Sequence, residues 1–264
     1  MSALDFAAML RAEKLKARSG AVAKPAPQQK SQQSRPPPDA DTAALDTSRP
    51  RPALQVLPGA PPTIAYAADW ISEAEEAAIV ASAKRGDDWV TVRGRRLRRL
   101  GGPAGEAGFA PEPLPRWARD ACAAAAASDP SLSRPVPNHV LVNSYDFSKE
   151  SYVLPHTDGP AYDDRTFTLS CGADAVVVFK ERLKTSDIGV RAAATRCEVL
   201  LRRRSLLAFS REAYIECTHE IGAAPDTIGL CCVNLDAANA RVGDVVGRAG
   251  ERVSFTLRCA GGAE

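Results

Sequence analysis

The chain has 264 residues, 45% hydrophobic and 25% charged, a globular composition that excludes a fibrous or wholly unstructured protein. Its formal charge of +2 gives no global sign of an acidic or basic partner. Seven cysteines, an odd number with no C-x-x-C pair, exclude a disulfide framework and a zinc finger and favour a reducing compartment.

Ser2 to about Arg18 reads as a short amphipathic helix, capped by Ser2 and apolar along Phe6, Met9 and Leu10. It carries mixed charge and lacks an apolar stretch followed by a cleavage site, so it does not read as a targeting signal. No segment approaches the ~18 unbroken apolar residues of a membrane span. A monomer of the cytoplasm and nucleus, off the membrane, is the expectation. Between Gly20 and Pro62 the composition shifts, with ten of the chain's 20 prolines set among Gln and Ser. Such a stretch buries too little apolar surface to offset its ordering entropy. Residues 1–62 are therefore expected to be a disordered tail with a short N-terminal helix, and 63–264 one folded domain.

Within that domain, "ISEAEEAAIVASAKRG" reads as a helix with a Ser72/Glu75 capping box and a stop at Gly86. "PRWARDACAAAAA" reads as a second helix with Pro115 in its first turn. After Pro137 the period changes to two. "HVLVNSYDF", "RTFTLSCG", "DAVVVFKE", "EVLLRRRSLLAFS", "TIGLCCVNL" and "RVSFTLRC" read as strands. Two helices followed by six or more short strands predict a mainly β sandwich or barrel with flanking helices.

His156 is one of three histidines and stands two residues before Asp158. On an extended strand such residues point the same way, so both can reach one ion. Mononuclear non-haem iron takes two His and one carboxylate on one face and leaves the other open. His219, in "AYIECTHEI", is the downstream candidate for the second His. His139 reads more readily as a hydrogen-bonded structural histidine.

"RVSFTLR" places Arg252, Ser254, Thr256 and Arg258 on one strand face and Val253, Phe255 and Leu257 on the other. A polar, doubly basic face opposite a clean apolar one reads as the wall of an anion pocket, where an arginine fork grips a carboxylate. A solvated edge strand is the alternative. Asn143 and Tyr145 in "VNSYDF" also share a face, and an amide and a phenol there suit an anion's remaining hydrogen bonds.

The ordered set of N-x-Y, H-x-D, a distal His and R-x5-R resembles the AlkB-like Fe(II)/2-oxoglutarate dioxygenases. The resemblance runs from about Pro61 to Arg258. "PNHVLVNSY", "PHTDGPAY", "RRRSLLAF", "AYIECTHEI" and "RGRRLRRLGG" are similar to the branch of AlkB homologue six. The resemblance implies a double-stranded β-helix of the jelly-roll type. It implies His156, Asp158 and His219 as ligands of Fe(2+), and Arg252 on the distal carboxylate of 2-oxoglutarate, helped by Asn143 and Tyr145. Arg258 would line the same site. Ser254 departs from the pattern, standing where many members carry Asn. The stretch 222–251 must loop out.

The implied chemistry consumes O2 and 2-oxoglutarate, releases succinate and CO2, and hydroxylates a substrate C–H bond. On an N-methyl group it removes the methyl as formaldehyde. A carboxylate at Asp158 favours hydroxylation over halogenation. Nucleic acid is the expected substrate. "KRGDDWVTVRGRRLRR" carries seven basic residues around Trp89, Arg202 to Arg204 add three, and relatives use the region around Arg93 to Arg99 as a lid. The same chemistry on a protein or small molecule is one alternative, and a non-catalytic jelly-roll binding module is another.

Overall fold

The computed structural model describes residues 44–105, 108–129, 134–148, 151–188, 192–223, 226–247 and 250–261. The expected N-terminal helix at 2–18 lies outside them, as does most of the Pro-rich tail. The described strands are β1 (Gln55–Val56), β2 (Ile64–Ala67), β3 (Val90–Val92), β4 (Arg95–Leu100), β5 (Ala104–Gly105), β6 (Gly108–Phe109), β7 (His139–Asp146) and β8 (Val153–His156). They continue with β9 (Tyr162–Gly172), β10 (Ala175–Glu181), β11 (Thr195–Leu201), β12 (Leu206–Ser210), β13 (Cys217–Ile221), β14 (Asp226–Thr227), β15 (Val245–Val246) and β16 (Glu251–Ala260). Helices are α1 (Glu73–Lys84), α2 (Arg116–Ala127) and the short α3 (Arg211–Ile215).

Two antiparallel sheets face each other. The larger has the order β1-β2-β12-β9-β16-β7-β4-β3, and the smaller has the order β11-β10-β13-β8. From β7 onward the chain steps between them: β7, β9, β12 and β16 lie in the larger sheet, and β8, β10, β11 and β13 in the smaller. Those eight strands are a double-stranded β-helix, the jelly roll expected. Gly172 turns the chain from one sheet toward the other at φ +74°, and a Cβ there would meet the Glu251 carbonyl at 2.2 Å.

Period-two patterning fills both sides of the larger sheet. Val253, Phe255 and Leu257 of β16 pack with Phe167, Leu169, Val140 and Val142 against Trp70, Ile79 and Trp117, beneath the two helices. Trp117 meets Phe255 edge-on at 5.6 Å. A second core, including Tyr66, Val177, Phe179, Leu207 and Phe209, lies between the sheets. The capping box of α1 forms as expected, with Ser72 and Glu75 bonding reciprocally; the helix stops at Lys84, two residues before Gly86. In α2, Pro115 is the N-cap rather than a first-turn residue.

Three expectations are corrected. The folded region begins upstream of Thr63: Ala44, Leu45, Leu54 and Leu57 are buried and β1 pairs with β2. "EVLLRRRSLLAFS" is two strands in different sheets, broken at a turn where Arg204 takes φ +66°. "TIGLCCVNL" is irregular after β14. Its Ile228 and Cys232 pack with Ala238 and Val246 over Val176 and Leu200 on the outside of the smaller sheet. The long stretch before β16 therefore covers that sheet instead of standing away from it.

Candidate metal and cofactor site

His156 ends β8, and His219 on β13 is its cross-strand partner, so the sheet itself brings the two rings to 4.3 Å between centroids. Asp158 follows β8 by two residues and turns back beneath them. Its Oδ1 lies 4.0 Å from His219 Nε2. One donor atom from each of the three residues falls within 4.8 Å of the others. Donors each about 2.1 Å from one ion and on one face of it stand about 3 Å apart, so the three side chains would draw together by about 1–2 Å to hold an ion. His156 Nδ1 lies 2.9 Å from the Leu154 carbonyl. A proton there donates to that oxygen and leaves Nε2 as the free lone pair.

The charge states suit a metal. Burial pushes the His156 imidazole down in pKa, and burial together with the neighbouring His156 pushes His219 down to about 3. Burial alone would raise Asp158, but Arg258, both histidines and the Thr166 hydroxyl hold it at about 2. Two neutral imidazoles and one carboxylate are the protonation states that ligation needs. Arg258 Nη1 donates to Asp158 Oδ1 at 3.0 Å, and Thr166 Oγ1 donates to Oδ2 at 2.7 Å.

A cavity of about 110 Å³ opens beside these groups. Asn143, Tyr145, Arg252 and Arg258 line it together with His156, Asp158 and His219, so the seven residues that the family resemblance implied for iron and 2-oxoglutarate meet in one place. Arg252 is fully buried; its Nη2 donates to Ser170 Oγ at 3.0 Å, and its guanidinium lies 5.1 Å from the Tyr145 ring. β16 runs between β9 and β7, so the reading of its basic face as a solvated edge is excluded. His139 lies apart from the His–Asp–His cluster, buried opposite Arg258 and 5.1 Å from the Tyr162 ring.

No protein-family profile matches the chain. A zebrafish (Danio rerio) protein described as "Probable RNA/DNA demethylase ALKBH6" is 31% identical over 209 residues, 77% of this chain and 88% of the relative. The chain belongs to the AlkB-like Fe(II)/2-oxoglutarate dioxygenases. Among solved structures, the one described as "The structure of OsALKBH1" is similar at TM-score 0.49 and 18% identity, covering 78% of this chain and 99% of that one. A 2OG-Fe(II) oxygenase-family oxidoreductase from Burkholderia pseudomallei gives 0.45 and 16%, covering 74% and 83%. The jelly-roll assignment rests on strand order, not on these values. The dioxygenase is an oxidoreductase whose cofactors are Fe(2+) and 2-oxoglutarate.

Sequence reasoning missed Thr166, which lines the cavity of this dioxygenase, Ser170, which accepts a hydrogen bond from Arg252, and the cavity residue Arg95. The first two sit on the polar face of β9, whose alternation in "RTFTLS" was a readable signal. Arg95 was taken with the basic lid.

The structure thins that lid. Lys84 pairs with Glu251, Arg85 donates to Ser82 Oγ, and Arg98 bonds Asp88 and the Ala83 carbonyl. Arg95 is buried and turned inward. Arg96 and Arg99 are exposed, and Arg96 lies over the Trp89 ring at 4.8 Å. Arg202, Arg203 and Arg204 pair with Asp174, Glu76 and Asp69, so that cluster is a structural network, contrary to its reading as phosphate-binding charge.

Proposed function

We propose that this chain removes methyl groups from N-methylated nucleic acid, with His156, Asp158 and His219 holding the iron and Arg252 holding 2-oxoglutarate. The observation that carries the reading is the meeting of a His–Asp–His set and a buried arginine in one cavity. When bound, the iron and its co-substrate supply the oxidation of a C–H bond by O2, with 2-oxoglutarate leaving as succinate and CO2.

The protein's part is placement. The Arg252 fork takes a carboxylate through parallel charge-assisted hydrogen bonds, and the Tyr145 hydroxyl and Asn143 amide complete its partners. Arg258 and Thr166 fix the plane of Asp158. Val153, Val177, Leu207 and Phe209 give the cavity a dry wall. A hydroxylated N-methyl carbon then breaks its C–N bond, gives its hydroxyl proton to the nitrogen side and leaves as formaldehyde.

Nucleic acid is supported by the likeness to the zebrafish relative and by the exposed Arg96, which lies over the half-buried Trp89 ring and suits a phosphate. A second reading, the same chemistry on a protein or small molecule, draws on the small number of uncommitted lid arginines. The test is anaerobic addition of Fe(II) and 2-oxoglutarate, followed by methylated oligonucleotide and air. A weak visible charge-transfer band that is lost in His219→Ala, followed by formaldehyde release, is the expected result. A band with succinate but no formaldehyde or oligonucleotide binding moves the substrate to the second reading. No band removes the dioxygenase site.

A further inference from the structure

Arg95 is the cavity-lining arginine to which no role has been given. It stands on β4 opposite Tyr145 of β7, and Tyr145 in turn stands opposite Arg252 of β16. Arg95, Tyr145 and Arg252 therefore form one rung across three strands, on the face that lines the cavity. Arg95 is 6% exposed, whereas its neighbour Arg96 points outward onto Trp89. Its Nη1 donates to Asn143 Oδ1 at 3.3 Å.

That contact fixes which end of the Asn143 amide faces which strand. A guanidinium has only donors, so the amide must present its oxygen to Arg95. Its NH2 group is then turned away from β4. On that other side Asn143 is flanked by Ser254 of β16, two residues from Arg252. A carboxylate gripped by Arg252 needs donors there, and an amide flipped the other way would offer it an oxygen instead.

We infer that Arg95 is a positioning residue for 2-oxoglutarate: it locks the Asn143 amide with its donors toward the Arg252 end of the cavity, and it is not a nucleic-acid contact of the lid. The inference rests on the reading above that Arg252 and Asn143 hold the cofactor. Its chemistry is that of a dicarboxylate pocket set by three strands, β4, β7 and β16.

The test is a calorimetric titration of 2-oxoglutarate into Mn(II)-loaded full-length protein, a readout independent of turnover. Arg95→Met and Asn143→Ala should each weaken binding by about tenfold or more. The double variant should be no weaker than the worse single one, because both remove the same donor. Arg95→Gln, which keeps a donor for Asn143 Oδ1 without the charge, should recover most of the affinity and serves if the methionine variant does not fold. In parallel, the salt slope of oligonucleotide binding should stay unchanged in Arg95→Met and fall by about one in Arg96→Ala. Full affinity in both Arg95 variants, additive losses in the double variant, or a reduced salt slope in Arg95→Met would overturn the inference. Failure of the underlying reading looks different: the wild type itself would not bind 2-oxoglutarate, or Arg252→Met would bind it as tightly as the wild type.

Discussion

Both oxygens of Asp158 are engaged by the protein, one by Arg258 and one by Thr166. Those bonds orient the carboxylate so that its remaining lone pairs face the two imidazoles. Partners of this kind typically contribute 10–100-fold to metal affinity. Thr166→Val keeps the shape of the side chain and removes one bond. We expect it to weaken Co(II) binding by about tenfold, read from the visible spectrum of the bound ion, with little change in melting temperature. His219→Ala removes a donor outright and should cost at least about a hundredfold in the same titration, since it removes a metal bond rather than a supporting contact. At this scale the sequence was legible where residue type is rare. Three histidines leave few ways to build a two-His site, so H-x-D with a distal His stood out. Thr166 did not, because threonine on a strand satisfies β propensity whether or not it supports a ligand.

Strand and helix patterns explain what could be read at the next scale. β16 alternates strictly, and both of its faces are buried, one by helices and one by the cavity. β4 reads R-R-L-R-R-L, which has no period-two apolar signal, so its inward arginine was indistinguishable from its outward ones. Helix α1 shows how a cap can extend into a hub. Glu75, its capping-box acid, also bonds Arg49, Arg51 and the Asp46 amide. Burial would raise its pKa, but the Arg51 bond and the backbone donors hold it at about 2, down from 4.5. A depressed carboxylate stabilises the fold above its unfolded value, and that contribution fades as pH falls from about 4.5 toward 2. Glu75→Gln should therefore destabilise the protein at neutral pH, by up to about 3 kcal/mol. Urea unfolding across pH should show the gap to wild type closing below about pH 4.5.

Over the whole molecule, the residues least visible in the sequence are those that wrap the barrel. The segment 44–57 is rich in proline and arginine, which hid the anchoring role of Leu45, Leu54 and Leu57. Apolar residues without a period give no strand or helix signal, yet a few of them suffice to pin an irregular segment to a core. The comparison that isolates these anchors starts from a chain of residues 44–264. One of 63–264 loses those anchors and both arginine partners of Glu75, and should melt well below it or be insoluble, as scanning calorimetry will show. The stretch 222–251 escaped for the same reason: its cover over the smaller sheet is built from scattered side chains such as Ile228 and Val246. The position of β16 has one more consequence, for synthesis. β7 and β9 do not pair with each other; β16, the last described strand, bridges them. Until β16 has been made, the larger sheet has an open slot with two unpaired edges at its centre, and such edges invite association. Products of premature stop codons anywhere before residue 251 should be substrates for chaperones and proteases rather than stable fragments.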